Sequence, residues 1–203
     1  MNKRIKLIIG VLAVIIISVL LNGCSIGSRN QEQDDGIINE DELMEEQTDE
    51  NIDTVDMVKL PDFNLKDLEG NRVSNRIFED YDITIVNIWQ STCGPCIEEL
   101  RALKVVYEEH KDDGVNVLGI SLDDVEIIGE EALRELLETM KIEYTNLIAD
   151  DDYLMELSKY VQGTPTTFIV DSQGELLMEA RVVTRGMEND IEDFRNIIKS
   201  IQE

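Results

Sequence analysis

Three short runs of β-branched and apolar residues constrain this chain more than anything else in it. They are ITIVNIW at Ile83–Trp89, VNVLGIS at Val115–Ser121 and TTFIVD at Thr166–Asp171. None alternates cleanly between polar and apolar, so each reads as a strand buried on both faces. Between them lie helical patterns. One runs from Cys93 to about His110, with Ile97, Leu100, Leu103 and Tyr107 on one stripe. Two others are EEALRELLETM, and DDYLMELSKYV with Asp151 or Asp152 near its N-cap. YTNLIAD adds a short strand, and ELLMEARVV should return antiparallel to TTFIVD after the turn SQGE. A last helix carries Ile191, Phe194, Ile198 and Ile201 at helical spacing. Ahead of all this, DFNLKDLEGNRVS reads as a β-hairpin turning at Glu69–Gly70–Asn71. The fold class predicted is α/β: a mixed central β-sheet flanked by helices, with an N-terminal hairpin extension.

The chain before this pattern is of two other kinds. Residues 1–24 have a basic head (Lys3, Arg4, Lys6), an apolar run from Leu7 to Leu21, and then Cys24. That is the layout of an export signal, and the run is short of the ~20 apolar residues that span a bilayer comfortably. LNGC, Leu21 to Cys24, resembles the lipobox of bacterial lipoproteins. The resemblance implies acylation of Cys24 after cleavage; the alternative is an uncleaved signal anchor. Either reading sets the remainder outside the cytoplasm at a membrane. Residues 25–56 are crowded with carboxylates and have no aromatic residue, so they cannot bury enough apolar surface to offset the entropy of ordering. They are expected to be an acidic flexible tether with no chemistry, whose pattern around Glu40 to Gln47 also allows a short helix. Residues 57–203 are then the folded domain. The formal net charge of -26, from 44 acidic against 18 basic residues, makes nucleic acid an unfavourable partner.

The chemistry centres on WQSTCGPCIEEL, Trp89 to Leu100, which holds Cys93 and Cys96 of the three cysteines. Cys93 falls just past a buried strand and at the start of a helix. Unpaired N–H groups of a first helical turn favour a thiolate there and can lower a thiol pKa from ~8.5 to about 3.5–7.5. Cys93 is therefore the candidate nucleophile, and Cys96, one turn later, the resolving thiol. Pro95 stands where the helix does not need its N–H. Zinc would need four ligands, of which two cysteines supply half. A permanent staple across so short a loop gains little entropy.

CGPC is the active-site sequence of thioredoxins. The region from Pro61 onward resembles the extracytoplasmic TlpA/ResA-type thiol-disulfide oxidoreductases, through VNIWQSTCGPCIEEL and GTPTTFIVDSQGEL (Gly163–Leu176). The resemblance implies a thioredoxin-like fold and a redox-active disulfide Cys93–Cys96, with no other cofactor and no metal. It implies a cis-proline at Pro165 that exposes the backbone of Thr164 to an incoming client strand, and a proton-handling role for Glu99. Glu99 is equally read as a carboxylate stabilised by an early helical turn. Trp89 is expected to pack beneath the site and border the client surface. Thr92 stands where the family usually has tryptophan, and Asn87 where cytoplasmic thioredoxins bury an aspartate. His110, the only histidine, belongs at the helix end.

Implied partners are client protein disulfides, apocytochrome c among them, and a membrane electron donor of CcdA/DsbD type, with a reducing poise. A thiol oxidase of the same fold remains open. So do a peroxide-reducing relative, whose cysteine lies in a different local motif, and a metal-binding relative; copper carriers of this kind use a wider cysteine spacing and a histidine far downstream.

Overall fold

The computed structural model describes residues 59–203. The export signal 1–24 with Cys24, the tether 25–56 and the helix around Glu40–Gln47 lie outside the described residues. Among those described, no helix is long and apolar enough to cross a membrane.

The described residues open with a hairpin, β1 (Asn64–Asp67) and β2 (Arg72–Ser74), followed by a 3-10 helix at Asn75–Asp80. Then come β3 (Ile83–Trp89), α1 (Gly94–His110), β4 (Val115–Ser121), α2 (Val125–Ile128) and α3 (Glu130–Met140). β5 (Asn146–Ile148), α4 (Asp151–Leu157), β6 (Thr166–Val170), β7 (Arg181–Val182) and α5 (Met187–Gln202) complete it. The strands form one seven-stranded sheet in the order β2-β1-β5-β4-β3-β6-β7. β3, β4 and β5 run parallel, while β6, β7 and the hairpin are antiparallel to their neighbours. This is the mixed sheet the sequence predicts, and β3 and β4 begin and end at the predicted residues.

Strand parity decides what each face carries. On β3, Ile83, Ile85 and Trp89 point into the core under α1, α3 and α5, and Asn87 shares their face by its even spacing. Val86 and Ile88 point the other way, towards Phe63, Phe78, Tyr153 and Leu157. Both faces are thus covered, which is why the central strands read as continuous apolar runs.

Four details differ from the sequence reading or sharpen it. The buried side of α1 is Cys96, Glu99, Leu100, Ala102, Leu103 and Val106; Ile97 and Tyr107 flank it, half-buried. α4 is capped by Asp150, whose carboxylate accepts from the Tyr153 amide at 3.0 Å, and Asp151 and Asp152 follow in its first turn. The return from the SQGE turn is not one strand: after a bridge between Val170 and Leu176 it leaves the sheet, and only Arg181–Val182 pair with β6. In α5, Asp190 is buried beside Phe194 and Ile198, whereas Ile191 and Ile201 are half-buried.

Candidate active site

Cys93 is the N-cap of α1 and Pro95 lies in its first turn. The Cys93 sulfur accepts the Cys96 amide N–H at 3.2 Å, so it sits where the helix presents an unpaired donor and the positive end of its dipole. Cys93 and Cys96 are joined as a disulfide. The two sulfurs differ in access: Cys93 is half-buried, whereas Cys96 is 0% exposed and packs into the core. The Thr164–Pro165 bond is cis, and the Thr164 carbonyl oxygen lies 3.6 Å from the Cys93 sulfur. Thr164 is half-buried and its hydroxyl meets Gln90 at 3.5 Å; Pro165 is buried behind it.

Glu99 follows Cys96 by one turn on the same face of α1. It is 1% exposed. The Asn87 amide nitrogen donates to it at 2.9 Å and to the Thr167 hydroxyl at 2.9 Å. Asn87 Oδ1 has no partner among the described residues. Arg181 approaches the other carboxylate oxygen at 3.3 Å. Burial pushes the Glu99 carboxyl up to about 7; Arg181 opposes this, Asp190 reinforces it, and the contacts with Thr167 and Asn87 oppose it weakly. A carboxyl tuned near neutrality can both take and return a proton at physiological pH.

The structure corrects one expectation. Trp89 does not border a client surface: it is 0% exposed, and its indole N–H donates to Asn146 Oδ1 at 3.1 Å. That contact requires Gly119. A Cβ there would lie 1.9 Å from Asn146 Oδ1 and 3.1 Å from the indole nitrogen. Trp89 is core, in the same buried cluster as Cys96. Thr92 and Glu98 are exposed, and His110 ends α1, 3.9 Å from Asp113.

Sequence reasoning missed four residues. Asp123, nearly buried, accepts from the Ser91 amide at 2.8 Å, the Ser91 hydroxyl at 2.8 Å and the Ser121 hydroxyl at 2.8 Å. It ties the segment before Cys93 to the end of β4. Thr167, Arg181 and Asp190 complete the surroundings of Glu99 from β6, β7 and α5. Among the described residues, no group of three or more His, Cys, Asp or Glu side chains is arranged to hold a metal ion.

Residues 58–178 match the model of the AhpC/TSA family. The thiol-disulfide oxidoreductase ResA of Halalkalibacterium halodurans is 27% identical over 139 residues, which are 68% of this chain and 73% of that protein. The thiol:disulfide interchange protein DsbE of Allochromatium vinosum is 34% identical over 115 residues, 56% of this chain and 60% of that one. The crystal structure of the thioredoxin domain of a thiol-disulfide oxidoreductase from Bacteroides vulgatus superposes with a TM-score of 0.56 at 26% identity, covering 68% of this chain and 96% of that one. With its sulfurs at the junction of β3 and α1 and its sheet in this order, the chain belongs to the AhpC/TSA family and has the thioredoxin-like fold of the thiol-disulfide oxidoreductases.

Proposed function

We propose that this thiol-disulfide oxidoreductase reduces disulfides of client proteins outside the cytoplasm, with Cys93 attacking and Cys96 resolving. The observation that carries this reading is the unequal access of the two sulfurs: one half-buried at a helix N-terminus, the other fully buried one turn before a buried carboxylate. The electrons travel on the two sulfurs, and no further cofactor or metal takes part.

In the reduced protein the Cys93 thiolate attacks one sulfur of a client disulfide. A Cys93–client bond forms, the client disulfide breaks, and the client's other sulfur leaves as a thiolate. Cys96 then passes its proton to Glu99 and attacks the Cys93 sulfur. The Cys93–Cys96 disulfide forms, the mixed disulfide breaks, and the second client sulfur departs as a thiolate. The client has gained two electrons and this chain has lost two. A membrane dithiol protein, of CcdA/DsbD type, returns them by the same exchange in reverse. The client's backbone lies along Thr164, beside Pro165, in the manner of an added strand. The basic head, the apolar run and Cys24 support attachment to the outer face of the cell membrane through lipid on that cysteine.

The test uses insulin as a model disulfide. Cys93→Ser should abolish exchange, and Cys96→Ser should accumulate a mixed disulfide that dithiothreitol releases; a Cys93→Ser variant as fast as the parent would end the assignment. Redox equilibration with glutathione decides direction. A potential near the ~-270 mV of thioredoxin supports a reductase, and one near the ~-120 mV of a strong oxidant makes the protein an oxidase.

A further inference from the structure

Arg181 is one cation placed among three carboxylates. It pairs with Thr167 across the β6–β7 ladder, so its side chain leaves the sheet on the face that α1 and α5 cover. There its Nη1 lies 3.3 Å from Glu99 Oε1, while Nη2 lies 2.8 Å from Asp190 Oδ1 and 3.3 Å from Asp193 Oδ2. The guanidinium also stacks over Phe194, 4.3 Å from the ring centre. Its side chain is 10% exposed, Glu99 1% and Asp190 0%, so these charges meet where water screens little. Asp193 is only partly covered and also accepts from Arg185 at 2.8 Å.

We propose that Arg181 is a positioning residue for disulfide exchange, its two edges divided between Glu99 and the aspartates of α5, so that the C-terminal helix sets how readily Glu99 takes the proton of Cys96. The inference rests on the reading of Glu99 as the proton carrier for Cys96.

Two features make the division directional. The planar fork of an arginine presents separate nitrogens to separate partners, which a lysine ammonium cannot do in the same way. Asp190 is held independently of Arg181: it accepts from the Thr184 hydroxyl and, at 3.1 Å, from the Arg185 amide. Its oxygens therefore stay where they compete for the guanidinium. Within salt-bridge reach of Glu99, Arg181 is the only cation among the described residues. The other groups facing Glu99 are neutral: Asn87 on β3, which donates to it, and Thr167 on β6, whose hydroxyl accepts from the same Asn87 amide. Tyr144, before β5, is fully buried, and burial followed by the Glu99 charge holds its phenol in the protonated form. Cys96 precedes Glu99 by three residues on the same buried side of α1. The balance on Glu99 is thus desolvation and Asp190 against Arg181.

Two single substitutions must then act in opposite directions, which a general loosening would not produce. In the full chain, reduced and carrying 13C-labelled glutamate, the Glu99 carboxyl titration is followed by NMR. Arg181→Gln should raise its midpoint by about one pH unit or more, and Arg181→Lys should restore part of that shift. Asp190→Asn should lower it. The pH midpoint for client release from the Cys93 mixed disulfide should move with it in each variant. If Asp190→Asn does not fold, Asp193→Asn, at a partly covered position, should give a smaller shift of the same sign. A folded Arg181→Gln protein with the parent's Glu99 midpoint overturns the inference, as do shifts of the same sign in the arginine and aspartate variants. A Glu99→Gln protein with the parent's pH profile removes the proton-carrier reading and the inference with it. An altered profile in Glu99→Gln together with an unmoved one in Arg181→Gln removes the inference alone.

Discussion

Two carboxylates on α1 each meet an arginine from the last part of the chain, and they respond in opposite senses. Near the start of the helix, Glu99 faces Arg181 at 3.3 Å and its carboxyl is pushed up to about 7. Near the end, Glu109 accepts from Arg195 Nε at 2.8 Å, and that hydrogen bond holds its carboxyl below the ordinary value. The pairing is alike; the solvent is not. Glu109 and Arg195 stand in water, where little desolvation opposes the attraction. Glu99 has lost its water, and removing a carboxylate from solvent costs several kcal/mol, which a single arginine shared with two aspartates does not offset. A salt bridge alone therefore does not say which carboxylate handles protons. Burial separates the two, and only the first carboxylate shares the buried side of α1 with a cysteine.

The largest consequence is kinetic. Glu99→Gln should slow client release from the Cys93 mixed disulfide by roughly 10²–10³-fold at pH 7, the range in which a lost general base falls. Glu109→Gln should leave that step unchanged. Stopped-flow release of a fluorescent client peptide measures both. Equal losses in the two variants would mean that carboxylates on α1 act through the fold and not through Cys96.

The same contrast appears in stability. A carboxyl raised from 4.5 to about 7 on folding is protonated in both states below pH 4.5 and ionised in both above 7. Between those values the folded state holds the extra proton, so its contribution is fully present at the acid end and is lost as pH rises. Relative to Glu99→Gln, the parent should lose on the order of 3 kcal/mol across that window, read from urea unfolding with the protein in its oxidised form. Glu109 has the opposite sign: its lowered carboxyl helps above the unfolded value and ceases to help as pH falls through the folded one. Parallel curves for parent and Glu99→Gln between pH 4.5 and 7 would show that the buried carboxyl does not titrate there.

How much of this could be read from sequence follows from what decides each feature. β3 and β4 are legible to the residue because both faces of each are apolar and the signal is local. The Cys93–Cys96 pair is legible because spacing and a strand-to-helix junction are local too. The partners of Glu99 are not. In EARVV the inward residue is Arg181 and the outward one Val182, 62% exposed, which inverts the hydropathy pattern that normally assigns strand faces. Asp190 precedes Phe194 and Ile198 at intervals of four on the same stripe of α5, yet an acid in a first helical turn reads as a dipole contact with solvent. Only the pairing of β7 with β6 and the packing of α5 on α1 bring them to Glu99, and that information is spread over some 80 residues of chain, Glu99 and Arg181 being 82 apart. At the start of α4 the sequence sets Asp151 or Asp152 near the cap but does not single out the cap itself, Asp150, because three successive aspartates are chemically equivalent candidates.

The smallest effect concerns the corner that delivers Arg181. Directly after β7 the chain turns at Val183, whose amide donates to the Pro165 carbonyl at 3.2 Å with φ +82. A β-branched residue is disfavoured in that region, where only glycine is comfortable, and Val183 is 62% exposed, so its side chain regains little by packing. Val183→Gly should stabilise the protein by about 1 kcal/mol, the strain relieved less the greater unfolded entropy of glycine. If the turn only delivers the arginine, the Glu99 titration midpoint should stay where it is. The solvent-facing pair of Glu109 and Arg195 needs no such corner, because both of its elements are regular helix. A Val183→Gly protein that gains stability but shifts the Glu99 midpoint would show that the left-handed turn fixes the guanidinium. One that loses stability would show that the exposed valine has a packing partner.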